Sequence, residues 1–235
     1  MDETIISFNY RFRMADGTEK EFAVRVEARG LDLVPASRDT YPAWSELGFH
    51  QCPNCPLQAE QHPRCPIAAN LVDLVDFFKE TMSYDEVDVH IETDQREYTK
   101  HTSVQQALSS VLGIYMVTSG CPVMDQLRPM VRFHLPFATV EETTYRVISM
   151  YLMAQYFRHK RGLRPDWELT GLVPIYEQVQ TVNRTFLQRL NHLKGKDANA
   201  NALVILDSFA GYVTFSLNTD LLDEVEGLFK PYLEE

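Results

Sequence analysis

His50-Gln51-Cys52-Pro53-Asn54-Cys55-Pro56 and, after a short spacer, His62-Pro63-Arg64-Cys65-Pro66 hold three of the chain's four cysteines. The fourth is Cys121, followed by Pro122, so every cysteine precedes a proline. With proline at roughly 5% of residues, four out of four arises by chance about once in 10⁵. Proline supplies a fixed φ and no N–H, and a metal centre is the simplest common reason to want such a residue after each sulfur. The spacing is Cys-x₂-Cys-x₉-Cys, then a gap of 55 residues to Cys121. The near three offer ligands from one loop. The distant one would close the cage and staple the second half of the chain to the first.

Strand-like patterns dominate before this loop and helical ones after it. Ile6, Phe8, Tyr10 and Phe12 alternate, as do Phe22, Val24 and Val26, and Asp16-Gly17 lies between the two runs. That is a β-hairpin over 4–13 and 20–29. A short helix is expected at Pro42–Leu47, stopped by Gly48. Beyond the loop, Ile67, Leu71, Leu74, Val75 and Phe78 keep a helical period over 66–82. Val87, Val89 and Ile91 alternate as a third strand, and a weaker fourth covers 97–101. From Ser103 onward the chain reads as helix. Ser103 with Gln106 and Thr139 with Glu142 fit capping boxes, and Thr170 is placed as a third cap. Ile175, Val179, Val182, Phe186, Leu190 and Leu193 form an apolar stripe. Lys194–Asn201 reads as a linker, Ala202–Leu217 as helix in preference to strand, and Leu221–Leu233 as a last amphipathic helix. The expected fold is therefore α+β: a small antiparallel sheet with one helix over 1–101, and a helical bundle over 102–235 packed on it as one unit.

The chain has 235 residues, and 45% of them are hydrophobic, enough for a proper core without disulfides. Its formal charge is −11, which argues against general binding to nucleic acid or anionic membrane. The acidic start, Met1-Asp2-Glu3-Thr4, does not resemble a secretory signal. No apolar run reads as approaching the roughly 20 residues of a transmembrane helix. A cytoplasmic protein is expected, and in a reducing compartment clustered cysteines point to metal or thiol chemistry.

Four thiolates suit an iron–sulfur cluster or tetrahedral zinc. In zinc ribbons glycine commonly follows the second cysteine. Pro56 stands there instead, which weakens zinc, whereas Cys-Pro resembles the end of ferredoxin cluster motifs. Pro66 and Pro122 suit first helical positions, making Cys65 and Cys121 residues whose thiolates face free amides. The expected ligand set is Cys52, Cys55, Cys65 and Cys121, binding an iron–sulfur cluster of the 4Fe–4S type with a redox or sensing role. A zinc-stapled, non-catalytic interaction module is the first alternative, with His62 the alternative fourth ligand in a Cys₃His site. A thiol-redox protein using Cys52 and Cys55 is the second; Cys-Pro-Asn-Cys resembles a glutaredoxin-type dithiol, but here it does not follow a strand or open a βαβ helix. His50 and His134 read as surface or satisfied histidines.

Cys-Pro-x-Cys-Pro-Leu, Arg64-Cys65-Pro66-Ile67-Ala68-Ala69-Asn70-Leu71, Thr118-Ser119-Gly120-Cys121-Pro122-Val123 and Arg132-Phe133-His134-Leu135-Pro136-Phe137 together resemble an uncharacterised bacterial protein family over most of the chain. The resemblance implies a bacterial, cytoplasmic origin and no assigned activity.

No Ser/His/Asp set or phosphate-cradling loop is recognisable. Glu141 and Glu142 look like first-turn acids, not a di-iron pair, because no Glu-x-x-His accompanies them. Arg158, Lys160, Arg161 and Arg164 read as a solvated helix end. Tyr145, Met150, Tyr151, Met153 and Tyr156 read as core; exposure there would mark a protein-partner or homodimer surface. The proline-rich stretch 49–66 is expected to bury little, to lack regular hydrogen bonding, and to depend on a metal for its order.

Overall fold

Gly17 takes a left-handed φ of +86°, and the Asp16 carboxylate accepts from the Thr18 amide at 2.8 Å, so the Asp-Gly pair turns the chain as its sequence requires. The computed structural model describes residues 4–35, 38–217 and 223–234. The turn joins β1 (Ile5–Met14) to β2 (Glu19–Glu27), and β3 (Glu86–Thr93) pairs with the other edge of β1. With β4 (Glu97–Ser103) the sheet order is β2-β1-β3-β4, every pair antiparallel. Phe8, Tyr10, Phe12, Val24, Val26, Val87, Val89 and Ile91 fill the buried face. The opposite face carries exposed pairs such as Arg11–Glu21 and Arg13–Glu19, which contribute little to stability. This is the α+β arrangement expected, with four antiparallel strands leading into a mostly helical remainder.

The helix expected over 66–82 is two shorter ones, α1 (Pro66–Asn70) and α2 (Val72–Phe77), parted at Leu71. The Asn70 amide donates to the Pro66 carbonyl at 2.9 Å, a side-chain bond that competes with continued backbone pairing. α3 (Val104–Thr118) crosses the sheet and stops before Gly120, at φ +88°. Its capping box does not form: Ser103 makes no cap bond, and Gln106 Oε1 accepts from the Thr102 hydroxyl instead. After α4 (Pro129–Arg132), α5 (Val140–Lys160) opens with the Thr139–Glu142 capping box complete, and this occupies the Glu142 carboxylate. α6 (Leu172–Asn191) begins after Gly171, not Thr170, whose hydroxyl donates to Asp166.

α7 (Ala198–Leu217) packs on α6 and α3. It is helical, as the apolar period indicates. By length and composition it is also apolar enough to cross a membrane, contrary to the sequence-based expectation. The missed signal is that polar Asn199 and Asn201 sit at its start while the remainder is almost uncharged. α8 (Asp223–Glu226) and α9 (Lys230–Leu233) flank a 3₁₀ turn where a single helix from Leu221 is expected; positions 221 and 222 lie outside the described residues. On α5, Tyr151 is buried and its hydroxyl donates to Asp166 at 2.7 Å. Tyr145, Met153, Tyr156 and Phe157 are exposed instead of core, because α5 packs chiefly against α4 and α7.

Among the described residues, the stretch before the cysteines has no helix or named strand beyond a 3₁₀ turn at Ala43–Ser45. It is nonetheless bonded throughout. Cys65 N–H donates to the Ser45 carbonyl at 2.8 Å, Leu47 N–H to Pro63, and Ser45 Oγ to Pro42. Arg189 on α6, only 2% exposed, donates to the carbonyls of Trp44, Glu46, Leu47 and His50. The loop is therefore tied to its surroundings by hydrogen bonds, which corrects the expectation of an unbonded segment.

Replacing Arg189 by Met strands these carbonyls, and each buried one left unpaired costs about 1–3 kcal/mol. Arg189→Met should lower urea stability by about 3 kcal/mol or more and open residues 44–50 to protease. Arg189→Lys, which keeps the charge but loses the fork, should fall between the two. Wild-type stability in Arg189→Met would show that the loop is held by other means.

Candidate metal centre

Pro66 occupies the first position of α1, which places Cys65 at its N-cap. The Cys65 thiol makes no capping bond, but the Ala68 and Ile67 amides lie where they favour its thiolate. Cys121 begins a tight turn in which Asp125 N–H donates to the Cys121 carbonyl at 3.0 Å, and the Met124 and Val123 amides likewise favour a thiolate there. Cys52 and Cys55 are the ends of a turn closed by Cys55 N–H to the Cys52 carbonyl, 3.0 Å. Asn54, at the tip of that turn, donates to the Gln178 backbone and side chain, fastening it to α6.

These separate segments bring all four cysteines to one cavity of about 20 Å³. That is little more than the roughly 10–15 Å³ one water centre needs, so the four cysteines line a small opening. Leu47, Ile67, Val123, Val182 and Phe186 supply apolar wall, and Arg189 supplies the charge. All four thiols are free; Cys65 is buried and the other three are half-buried. Among the described residues, no group of three or more His, Cys, Asp or Glu side chains is gathered in the way that holds a metal ion.

His62 is exposed and is not in the cavity wall, so the Cys₃His alternative is not assembled. His50 stacks at a tilt on His192, with ring centroids 4.1 Å apart. His134 lies elsewhere, hydrogen-bonded through Nε2 to the Tyr10 hydroxyl at 2.6 Å. Burial, with Arg146 nearby, pushes its pKa down to about 3, so it is a satisfied neutral ring.

Burial pushes the Cys52 thiol up to about 12; the Cys65, Cys121 and Cys55 sulfurs reinforce the rise and Arg189 opposes it. Burial also raises Cys65 and Cys121, against the pull of the nearby amides. These mutual effects tie the four sulfurs into one electrostatic unit. Desolvation in turn lowers the Arg189 pKa, while Cys65, Cys52 and Cys55 raise it. Among the described residues no carboxylate pairs with Arg189, and its Nε has no hydrogen-bond partner. A buried cation without an anion is costly; four backbone carbonyls take its donors, and Cys65, Cys52 and Cys55 are the groups whose negative charge would favour it.

Arg189 is the residue that sequence reasoning missed. It stands three positions after Phe186 and seven after Val182, on the apolar stripe of α6, so its phase was visible. An arginine is easily passed over as the solvated edge of such a stripe.

No curated protein and no solved structure matches the chain. A family of unknown function, DUF6901, matches residues 8–230 and so takes in all four Cys-Pro pairs together with Arg189. The chain belongs to that domain-of-unknown-function family.

Proposed function

We propose that Cys52, Cys55, Cys65 and Cys121 bind one iron–sulfur cluster, and that the protein serves a redox or sensing role in a reducing, cytoplasmic setting. The observation that carries this reading is the convergence of four free cysteines on one cavity beside a buried arginine with no carboxylate partner. Bound there, a cluster would supply one-electron chemistry. The chain's own contribution is to hold the thiolates, to offset their charge with Arg189, and to limit water through the Leu47, Val182 and Phe186 wall.

Zinc is the weaker alternative. Four bonds of about 2.3 Å to one tetrahedral ion require sulfurs roughly 3.8 Å apart. What favours a cluster is the sequence: Pro56 stands where zinc ribbons commonly carry glycine, and Cys-Pro resembles the end of ferredoxin cluster motifs. The thiol-redox alternative meets a different objection. An attacking thiol is activated by a lowered pKa, whereas that of Cys52 is raised.

Anaerobically purified protein should be brown and carry about four iron and four acid-labile sulfide per chain. Cys55→Ser and Cys121→Ser should each lose most of both, and His62→Ala should lose neither. Stoichiometric zinc without iron would reject the cluster. Metal retained in Cys121→Ser but lost in His62→Ala would move the fourth ligand.

The metal-free protein should also be alkali-sensitive. Cys52, Cys65 and Cys121 have folded-state pKa values raised above the unfolded value of about 8.5. The folded state then holds more thiol protons, so stability is fully present below about pH 8.5 and falls as pH rises toward 12. Urea unfolding of the apo protein at pH 7.5 and 10 should show this loss, smaller in Cys52→Ser. An unchanged pH slope in that variant would mean Cys52 titrates normally.

A further inference from the structure

A second cavity of about 400 Å³ lies among α3, α5, α6 and α7, within the roughly 300–1,000 Å³ typical of small-molecule sites. It is distinct from the cysteine centre but shares two walls with it. On α6, Val182 faces the cysteines and the adjacent Asn183 faces this cavity; after Cys121, Val123 and Met124 divide in the same way.

Its lining is mainly apolar, with charge of one sign. Among the described residues Lys100 and Arg146 are its only charged ones, and no acidic residue lines it, in a chain of net charge −11. Lys100 is exposed, with Nζ 5.3 Å from the centroid of the Phe137 ring. Arg146 is half-buried, with Nη2 donating to the Met130 and Phe133 carbonyls at 3.0 and 2.9 Å. Glu142, within electrostatic range of Arg146, bonds the Thr139 amide instead.

Two further features distinguish this cavity from a packing defect. Asn183 is 1% exposed and lines the cavity, yet its Oδ1 has no donor, and buried acceptors are seldom left so in a finished core. Gly113 stands in the wall in mid-helix, where glycine costs about 0.5–1 kcal/mol relative to alanine. Its only close neighbour for an added Cβ is Leu206 Cδ2, at an ordinary 3.8 Å. A larger residue would fit the helix, so what the glycine preserves is open volume.

We propose that this cavity binds a small carboxylic acid with an apolar body, the body among α3, α6 and α7 and the carboxylate at Lys100 and Arg146. The match is one of charge and shape: two cations unopposed by any lining acid, at an apolar chamber of ligand size.

Titrating the full-length protein calorimetrically with decanoate and with 1-decanol, both below their self-association thresholds, tests this directly. Decanoate should bind one per chain and about tenfold or more tighter than decanol, as a charge-assisted contact provides. Lys100→Glu, a change at an exposed position, should erase that preference and leave decanol binding unchanged. Gly113→Leu should abolish binding of both probes without lowering the melting temperature. Equal affinity for the two probes, no binding of decanoate, or undiminished binding in Gly113→Leu would each overturn the proposal.

Discussion

The guanidinium of Arg189 is the constraint from which the rest of the centre follows. It is nearly sealed from solvent and spends its donors on four carbonyls of the stretch between Trp44 and His50. Those bonds replace the ladder that an irregular loop lacks. They also fix a full positive charge beside three of the cysteines, which raise the arginine's own pKa in return. A hydrophobic residue would pack the same place with less desolvation cost. Retaining a buried cation is intelligible if the groups across from it carry negative charge, which cysteines do once they bind metal.

Around that charge the two halves of the chain meet. The sheet half contributes Cys52, Cys55 and Cys65 through a loop tied at Ser45 and Pro63. The helical half contributes Cys121 from the turn after α3, and Asn54 docks the loop on α6 through Gln178. One buried cluster of apolar side chains runs from the β-hairpin through α7, so the centre lies on a continuous core and does not bridge two loosely joined units. α6 is the common wall: Val182, Phe186 and Arg189 on one side, Val179 and Asn183 on the other. Anything that shifts α6 alters both cavities.

Much of this was legible in the sequence, for identifiable reasons. Period-two alternation with Asp16-Gly17 determines the hairpin, and Val87, Val89 and Ile91 determine β3. Thr139 and Glu142 form the capping box read for them. The Cys-Pro pairs identified the four residues that line one cavity. What stayed hidden depends on tertiary context. Leu71 interrupts an apparently continuous helix because Asn70 bonds back to Pro66. Tyr145, Met153 and Tyr156 on α5 are exposed because few elements cover that side of the helix, and density of aromatic residues does not reveal coverage. Arg189 was hidden because its bonds are to carbonyls more than a hundred residues away, which leave no periodic trace. The larger cavity has no sequence signature either, since its walls come from elements scattered from β4 to α7 and its most telling residue, Gly113, reads only as a poor helix former.

The proposed cluster requires four thiolates gathered about one polynuclear centre. Iron K-edge X-ray absorption of the anaerobically purified, full-length protein measures this most directly, since it reports the ligand atoms and neighbouring metals of the bound iron. The expected spectrum has a first shell of sulfur alone at about 2.3 Å, followed by an iron–iron shell. A first shell containing nitrogen or oxygen, or sulfur without any iron–iron scattering, would contradict the proposed cluster.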